Sequence, residues 1–140
     1  MDDAQFLAAL EAGTLPPEQF DHRAHLRAGY LYLRSAAFPQ ATARMCAVLR
    51  AYTAALGKPE RYHETVTVAF MALIAAHLRQ DAGGGANGWE HFSSRHPRLF
   101  ERGLLLNYYP QAVLESSAAR AGFVLPPPSG TIAASATTGG

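Results

Sequence analysis

Apolar residues recur at helical spacing along most of the 140-residue chain. Aspartate or proline stands at the predicted starts of these stretches and glycine at several of their ends, as is typical of helices. β-Branched residues cluster only at Thr65–Val68, inside a longer helical pattern. The pattern predicts an all-α protein, a compact bundle of about five helices. The predicted helices cover approximately residues 2–10, 21–35, 38–57, 58–80 and 99–109, with a last short helix over 110–121.

Composition changes near residue 125. Residues 1–125 hold nearly all the large apolar side chains and predict a single helical domain. Residues 126–140 are rich in proline, serine, threonine and glycine. Such a segment buries too little apolar surface to offset the entropy of folding, so a disordered tail is predicted there.

Charge and cysteine content narrow the class of protein. Twelve basic and eleven acidic residues give a net charge of +1, which predicts neither a nucleic-acid nor a membrane partner. The single cysteine, Cys46, forms no intrachain disulfide and favours a reducing, cytoplasmic location. No signal peptide is expected from Met1–Asp3, and the nearly uncharged stretch Thr65–Ala76 is shorter than the roughly 20 residues of a membrane span.

Two histidines share one face of the second predicted helix. His22 and His25 are three residues apart, and the opposite face carries arginines, so both imidazoles are expected to point inward. Gly29 lies one turn further on and leaves room for a neighbouring helix or a ligand.

A third histidine is expected at the same end of the bundle. His63 lies near the predicted start of the fourth helix. Short connections make consecutive helices antiparallel, so helices two and four run parallel and their starts meet. His77 lies fourteen residues beyond His63, about 21 Å away along a helix, and is excluded from this cluster.

Three imidazoles at helix starts suit a metal ion. The positive end of the helix dipole favours neutral imidazole, the form that binds metal. His22, His25 and His63 with an open fourth position predict one divalent transition metal, zinc first, with copper, nickel or iron as alternatives. Glu64 is predicted as a further ligand, an orienting acceptor or a general base.

The rim of the predicted site carries other polar groups. If the fifth helix returns antiparallel to the fourth, Tyr108 reaches the histidines and donates to a substrate. Lys58, Arg61 and Tyr62 lie at the rim and are able to attract an anionic group.

Three hypotheses follow from these residues. The first is a metal-dependent enzyme that acts on a small molecule, by hydrolytic, lyase or oxidative chemistry. The second is a non-catalytic helical module that binds a ligand or a protein and keeps its histidines in the core. The third is a metal-free enzyme in which a histidine–glutamate pair transfers protons. The sequence leaves the substrate and the oligomeric state open.

Two motifs carry a resemblance. Phe20–Leu26 (FDHRAHL) and Tyr62–Thr65 (YHET) resemble a group of small helical bacterial proteins that pair F-x-H-x-x-H-L with Y-H-E-T. Leu105–Phe123 is similar in character to the C-terminal part of that group. The resemblance covers roughly residues 18–125 and implies that the two motifs belong to one site. It implies no particular activity.

Overall fold

The computed structural model describes residues 1–128, and within that range it contains helices and no strand, which confirms the all-α prediction. The described helices are α1 (Asp3–Ala12), α2 (His22–Ser35), α3 (Phe38–Ala55), α4 (Glu64–Gln80), α5 (Trp89–Arg95), α6 (Gln111–Leu114) and α7 (Ser117–Ala121). Single 3-10 turns cover Pro17–Gln19, Pro59–Arg61, Pro97–Phe100 and Leu104–Asn107. None of these helices combines the length and hydropathy that a membrane span needs. The predicted disordered tail lies outside the described residues, except for 126–128.

Side-chain caps explain why the first helices begin where the sequence predicts. The Asp2 carboxylate accepts a hydrogen bond from the Gln5 amide, and Asp21 Oδ1 accepts one from the Ala24 amide at 2.9 Å. Each satisfies a donor that has no partner within its own helix. Gly13 ends α1 in the left-handed conformation, with φ of 74°.

α2 packs against both α3 and α4 in the middle of the molecule. His22 contacts Phe70, while Gly29, further along α2, faces Ile74, further along α4. The contacts advance in the same direction on both helices, so α2 and α4 run parallel as predicted. A Cβ atom at Gly29 would lie 2.8 Å from Ile74 Cδ1, so the missing side chain allows this close approach.

The predicted start of the fourth helix at residue 58 is wrong. Pro59–Arg61 forms a separate 3-10 turn, Tyr62 is extended, and α4 begins only at Glu64. His63 is the cap residue, with φ of −139° and ψ of 109°, and its ring Nδ1 accepts the Val66 amide proton at 3.1 Å. The imidazole therefore takes the capping role that aspartate fills in α2.

The predicted helix over 99–109 is also wrong. The chain there forms two 3-10 turns, because Glu101 is extended and Gly103 adopts a left-handed φ of 76°. The last predicted helix, over 110–121, is divided at Ser116, whose hydroxyl caps α7 by accepting the Ala119 amide proton. This segment lies against the start of α4, where Thr65 donates to the Gly122 carbonyl.

A histidine-lined cavity as the candidate functional site

A cavity of about 310 Å³ lies between the starts of α2 and α4 and the inner face of α3. This volume is at the lower end of the range of about 300–1,000 Å³ that is typical of small-molecule sites. His22, His25 and His63 all line it, so the predicted convergence of the two helix starts is confirmed. We call it the histidine cavity. Its apolar walls include Phe20, Leu26, Leu49, Phe70, Met71 and Ile74.

His25 presents a free basic nitrogen. Its Nδ1 lies 3.0 Å from the Asp21 carbonyl oxygen, which can only accept, so Nδ1 carries the proton and Nε2 holds the lone pair. The ring stacks on Phe20 with 3.9 Å between ring centroids. Burial lowers the pKa of His25 below its ordinary value, against a smaller opposite effect of the Asp21 hydrogen bond. At neutral pH His25 is therefore an uncharged base of fixed orientation.

His22 is arranged differently but also retains a lone pair. Its Nε2 lies 3.3 Å from the Leu99 carbonyl oxygen and so acts as the donor. Nδ1 is left as the acceptor. The ring meets the edge of Phe70, with 5.1 Å between centroids. Because His22 is exposed, it lies at the outer part of the cavity wall.

His63 uses both ring nitrogens to hold the fold. Nδ1 accepts the Val66 amide proton, and Nε2 donates to the Leu114 carbonyl oxygen at 2.6 Å. These bonds cap α4 and tie α6 to its start. No lone pair of His63 is free for a ligand in this conformation.

The predicted three-histidine metal set is therefore brought to one cavity but is not assembled as a set of donors. Among residues 1–128, no three histidine, cysteine, aspartate or glutamate side chains are placed to hold one ion. His22 and His25 each offer a nitrogen, whereas His63 would have to break two hydrogen bonds to join them. Metal binding by His22, His25 and His63 stays a prediction.

Glu64 does not line the histidine cavity. Its carboxylate accepts hydrogen bonds from the Tyr62 hydroxyl and from Arg50 Nη2, the latter at 2.8 Å. Burial and hydrogen bonds with Cys46 and Glu64 raise the pKa of Tyr62, which keeps its hydroxyl protonated. Glu64 thus positions Tyr62, which does line the cavity, and its predicted role as ligand or base is untested.

Tyr108 lies away from the predicted histidine cluster. It is 42% exposed, follows the Leu104–Asn107 turn and does not line the cavity. The helix that was expected to bring it there is absent. Its neighbour Tyr109 is buried and donates to the Val124 carbonyl oxygen at 2.6 Å.

Two features of the site were missed at the level of sequence. Phe20 belongs to the first motif, yet its stacking on His25 depends on the chain's path into α2. Arg120 reaches the neighbourhood of the site from α7, and no local pattern in the sequence links it to the histidines.

Comparisons with protein-family models, with curated proteins and with solved structures found no match. The resemblance to the small helical bacterial proteins accordingly rests on the two motifs and on the character of Leu105–Phe123.

Proposed function

We propose that the protein is a metal-free enzyme that binds a small, mainly apolar molecule in the histidine cavity, with His25 as general base. The observation that carries this proposal is the state of His25. Its Nδ1 proton is held by the Asp21 carbonyl group, and its lone pair at Nε2 has no hydrogen-bond partner among the described residues.

The chemistry of His25 suits proton transfer. A general base must be unprotonated at the working pH and held in a fixed orientation. Burial keeps the imidazole neutral, and Phe20 and Asp21 fix the ring. The sequence hypothesis of a metal-free enzyme paired a histidine with a glutamate. The present proposal differs from it, because Glu64 interacts with Tyr62 and Arg50 and does not pair with His25.

A metal-dependent enzyme is the second candidate. It is favoured by the lone pairs that both His22 and His25 retain at one cavity. Its ion would be zinc, or else copper, nickel or iron, and His63 would complete the set only after releasing Leu114 and Val66. Under either candidate a cytoplasmic location stays a prediction from the free thiol of Cys46.

Ligand-observed NMR with a set of small apolar fragments tests the cavity. Fragments should bind the wild-type protein and lose binding in Val66→Trp, whose indole would fill the space beside His63. Hits that bind the variant equally well would overturn the proposal. His77→Gln, at the other end of α4, is the control and should leave binding unchanged.

The base is tested by nitrogen-15 NMR of the imidazoles. At pH 7 His25 should show protonated Nδ1 and unprotonated Nε2, and the opposite tautomer would contradict the proposed role. For any bound compound that is turned over, His25→Gln should lower kcat by about 10²–10⁴-fold. A strong chelator should leave turnover unchanged, and complete loss on chelation would favour the metal-dependent candidate.

A further inference from the structure

We infer that the molecule bound in the histidine cavity carries one anionic group, best a carboxylate, which Arg61 binds at the mouth. This inference rests on the proposed function and names the class of its substrate: a small apolar acid. The apolar body would lie among the cavity walls, and the acid would face outward.

The histidine cavity opens into a second space at its mouth. An outer cavity of about 680 Å³ shares Phe20, His25, Thr53 and Arg61 with the histidine cavity. His25 and Arg61 therefore lie where the two spaces meet. A molecule that spans this boundary would contact the neutral base and the guanidinium group together.

Arg61 is available for an anion. It is exposed and forms no ion pair with any residue in the range 1–128. Arg120 also lines the outer cavity, and its Nη1 donates to the Glu60 carbonyl oxygen at 3.0 Å. That bond holds a second positive charge beside the mouth, with some of its donors already used.

Two acids also line these spaces. Asp21 Oδ1 accepts the Ala24 amide proton at the positive end of α2, so its charge is partly compensated there. Glu60 lines the outer cavity, but its carboxylate forms no ion pair with Arg61 or Arg120 within 4 Å. Within residues 1–128, no direct partner therefore neutralises the guanidinium of Arg61.

The dimensions and chemistry together define the ligand class. At about 30 Å³ for each water-sized group, the 310 Å³ of the histidine cavity holds roughly ten non-hydrogen atoms. Its walls are mainly apolar, and the planar fork of a guanidinium matches a carboxylate. Neutral His25 does not compete for the acid and remains free to take a proton from the molecule's body.

Matched pairs of acid and amide test the inference. We would titrate 4-phenylbutyrate against 4-phenylbutanamide, and octanoate against octanamide, and follow backbone amide shifts by NMR. In the wild-type protein each acid should bind about tenfold more tightly than its amide. Arg61→Gln should remove this preference while amide binding persists, and Arg61→Lys should retain part of it.

Arg79→Gln is the control, since it removes the same charge from the exposed last turn of α4. It should leave the tenfold preference intact. Equal binding of acid and amide to the wild-type protein would overturn this inference and leave the proposed cavity function standing. A preference that persists in Arg61→Gln would also overturn it. Failure of every acid and amide to bind at millimolar concentration would count against both proposals.

Discussion

Histidines gather at both ends of α4, but those at its start line open space, whereas those at its end pack against each other beside a buried carboxylate. At the start, His22 and His25 keep free lone pairs beside a cavity of about 310 Å³. At the end, His77 and His96 have their rings in edge contact, with 5.1 Å between centroids. We refer to the latter as the packed end.

The packed end is organised by Asp81. Its side chain is 1% exposed, and Oδ1 accepts from His96 Nε2 at 3.0 Å, with Arg95 Nε at 3.4 Å. The hydrogen bond from His96 holds the pKa of Asp81 below its ordinary value. Phe92 lies against His96 and Tyr30, and it is fully buried.

The difference shows what identifies a candidate site in a histidine-rich protein. Six histidines are present, but their number does not separate structural from functional roles. His63 and His96 are held by hydrogen bonds that support the fold. His25 combines a fixed ring, a free lone pair and adjacent space, and that combination is what substrate chemistry requires.

The largest expected effect is loss of stability at the packed end. Phe92→Ala removes a ring with no exposed surface and leaves a cavity that its neighbours fill only in part. We expect the free energy of unfolding to fall by about 3–5 kcal/mol, measured by urea denaturation.

Phe70→Ala is the matched change at the histidine cavity. Phe70 is only half-buried and already borders open space, so its loss of stability should be clearly smaller. Equal losses in the two variants would show that the two ends do not differ in packing.

The next effect concerns the charge at the packed end. Asp81→Asn should destabilise the protein at pH 7, because Arg95 loses its ionic partner and His96 Nε2 loses a charged hydrogen-bond acceptor. The pKa of Asp81 is lower in the folded protein than its ordinary value of 3.8, so the carboxylate adds stability at pH values above 3.8. This added stability is lost as the pH falls through the lowered pKa of the folded state. Urea midpoints between pH 7 and pH 3 should therefore fall less steeply for Asp81→Asn than for the wild-type protein.

Glu90→Gln is the control for this titration, since Glu90 has an 86% exposed side chain. Its midpoints should follow the wild-type curve closely. If Asp81→Asn also followed that curve down to pH 3, the buried carboxylate would not be responsible for the acid sensitivity of this end.

Part of this structure follows from local signals in the sequence. Asp2, Asp21 and Gly13 act within a few residues of themselves, so the bounds of α1 and the start of α2 were predictable. Short connections also predicted that α2 and α4 run parallel.

The roles of individual side chains depended on distant partners. A histidine that caps a helix has the same local pattern as one in its first turn, and only the contact with Leu114 shows that His63 is fully bonded. The pairing of Asp81 with His96 joins residues fifteen positions apart across a glycine-rich loop. Arg120 reaches the outer cavity only because α7 lies against α4.

A smaller effect should appear at the histidine cavity in mild acid. Burial lowers the folded pKa of His25 below its ordinary value of 6.5, so the unfolded chain binds the proton first. The free energy of unfolding therefore decreases as the pH falls from 6.5 through the lowered pKa of His25. Urea midpoints should drop over that interval in the wild-type protein and less in His25→Gln. His91→Gln provides the control, since His91 is exposed. The assignment would be contradicted if the urea midpoint fell with pH as in the wild-type protein in His25→Gln but stayed constant in His91→Gln.

The smallest expected effect lies just outside the cavity wall, in the ion pair of Arg50 with Glu64. The pair is close, at 2.8 Å, but the Arg50 side chain is 55% exposed, so water and salt screen the attraction. A double-mutant cycle of Arg50→Gln and Glu64→Gln should give a coupling of about 0.2–1 kcal/mol that weakens in high salt. Glutamine at position 64 can still accept from the Tyr62 hydroxyl, so the cavity wall should persist and fragment binding should change little. A coupling well above this range, or loss of fragment binding in Arg50→Gln alone, would mean that the wall of the histidine cavity depends on this charge pair. The two ends of α4 would then no longer differ as an open end and an end held by ionic contacts.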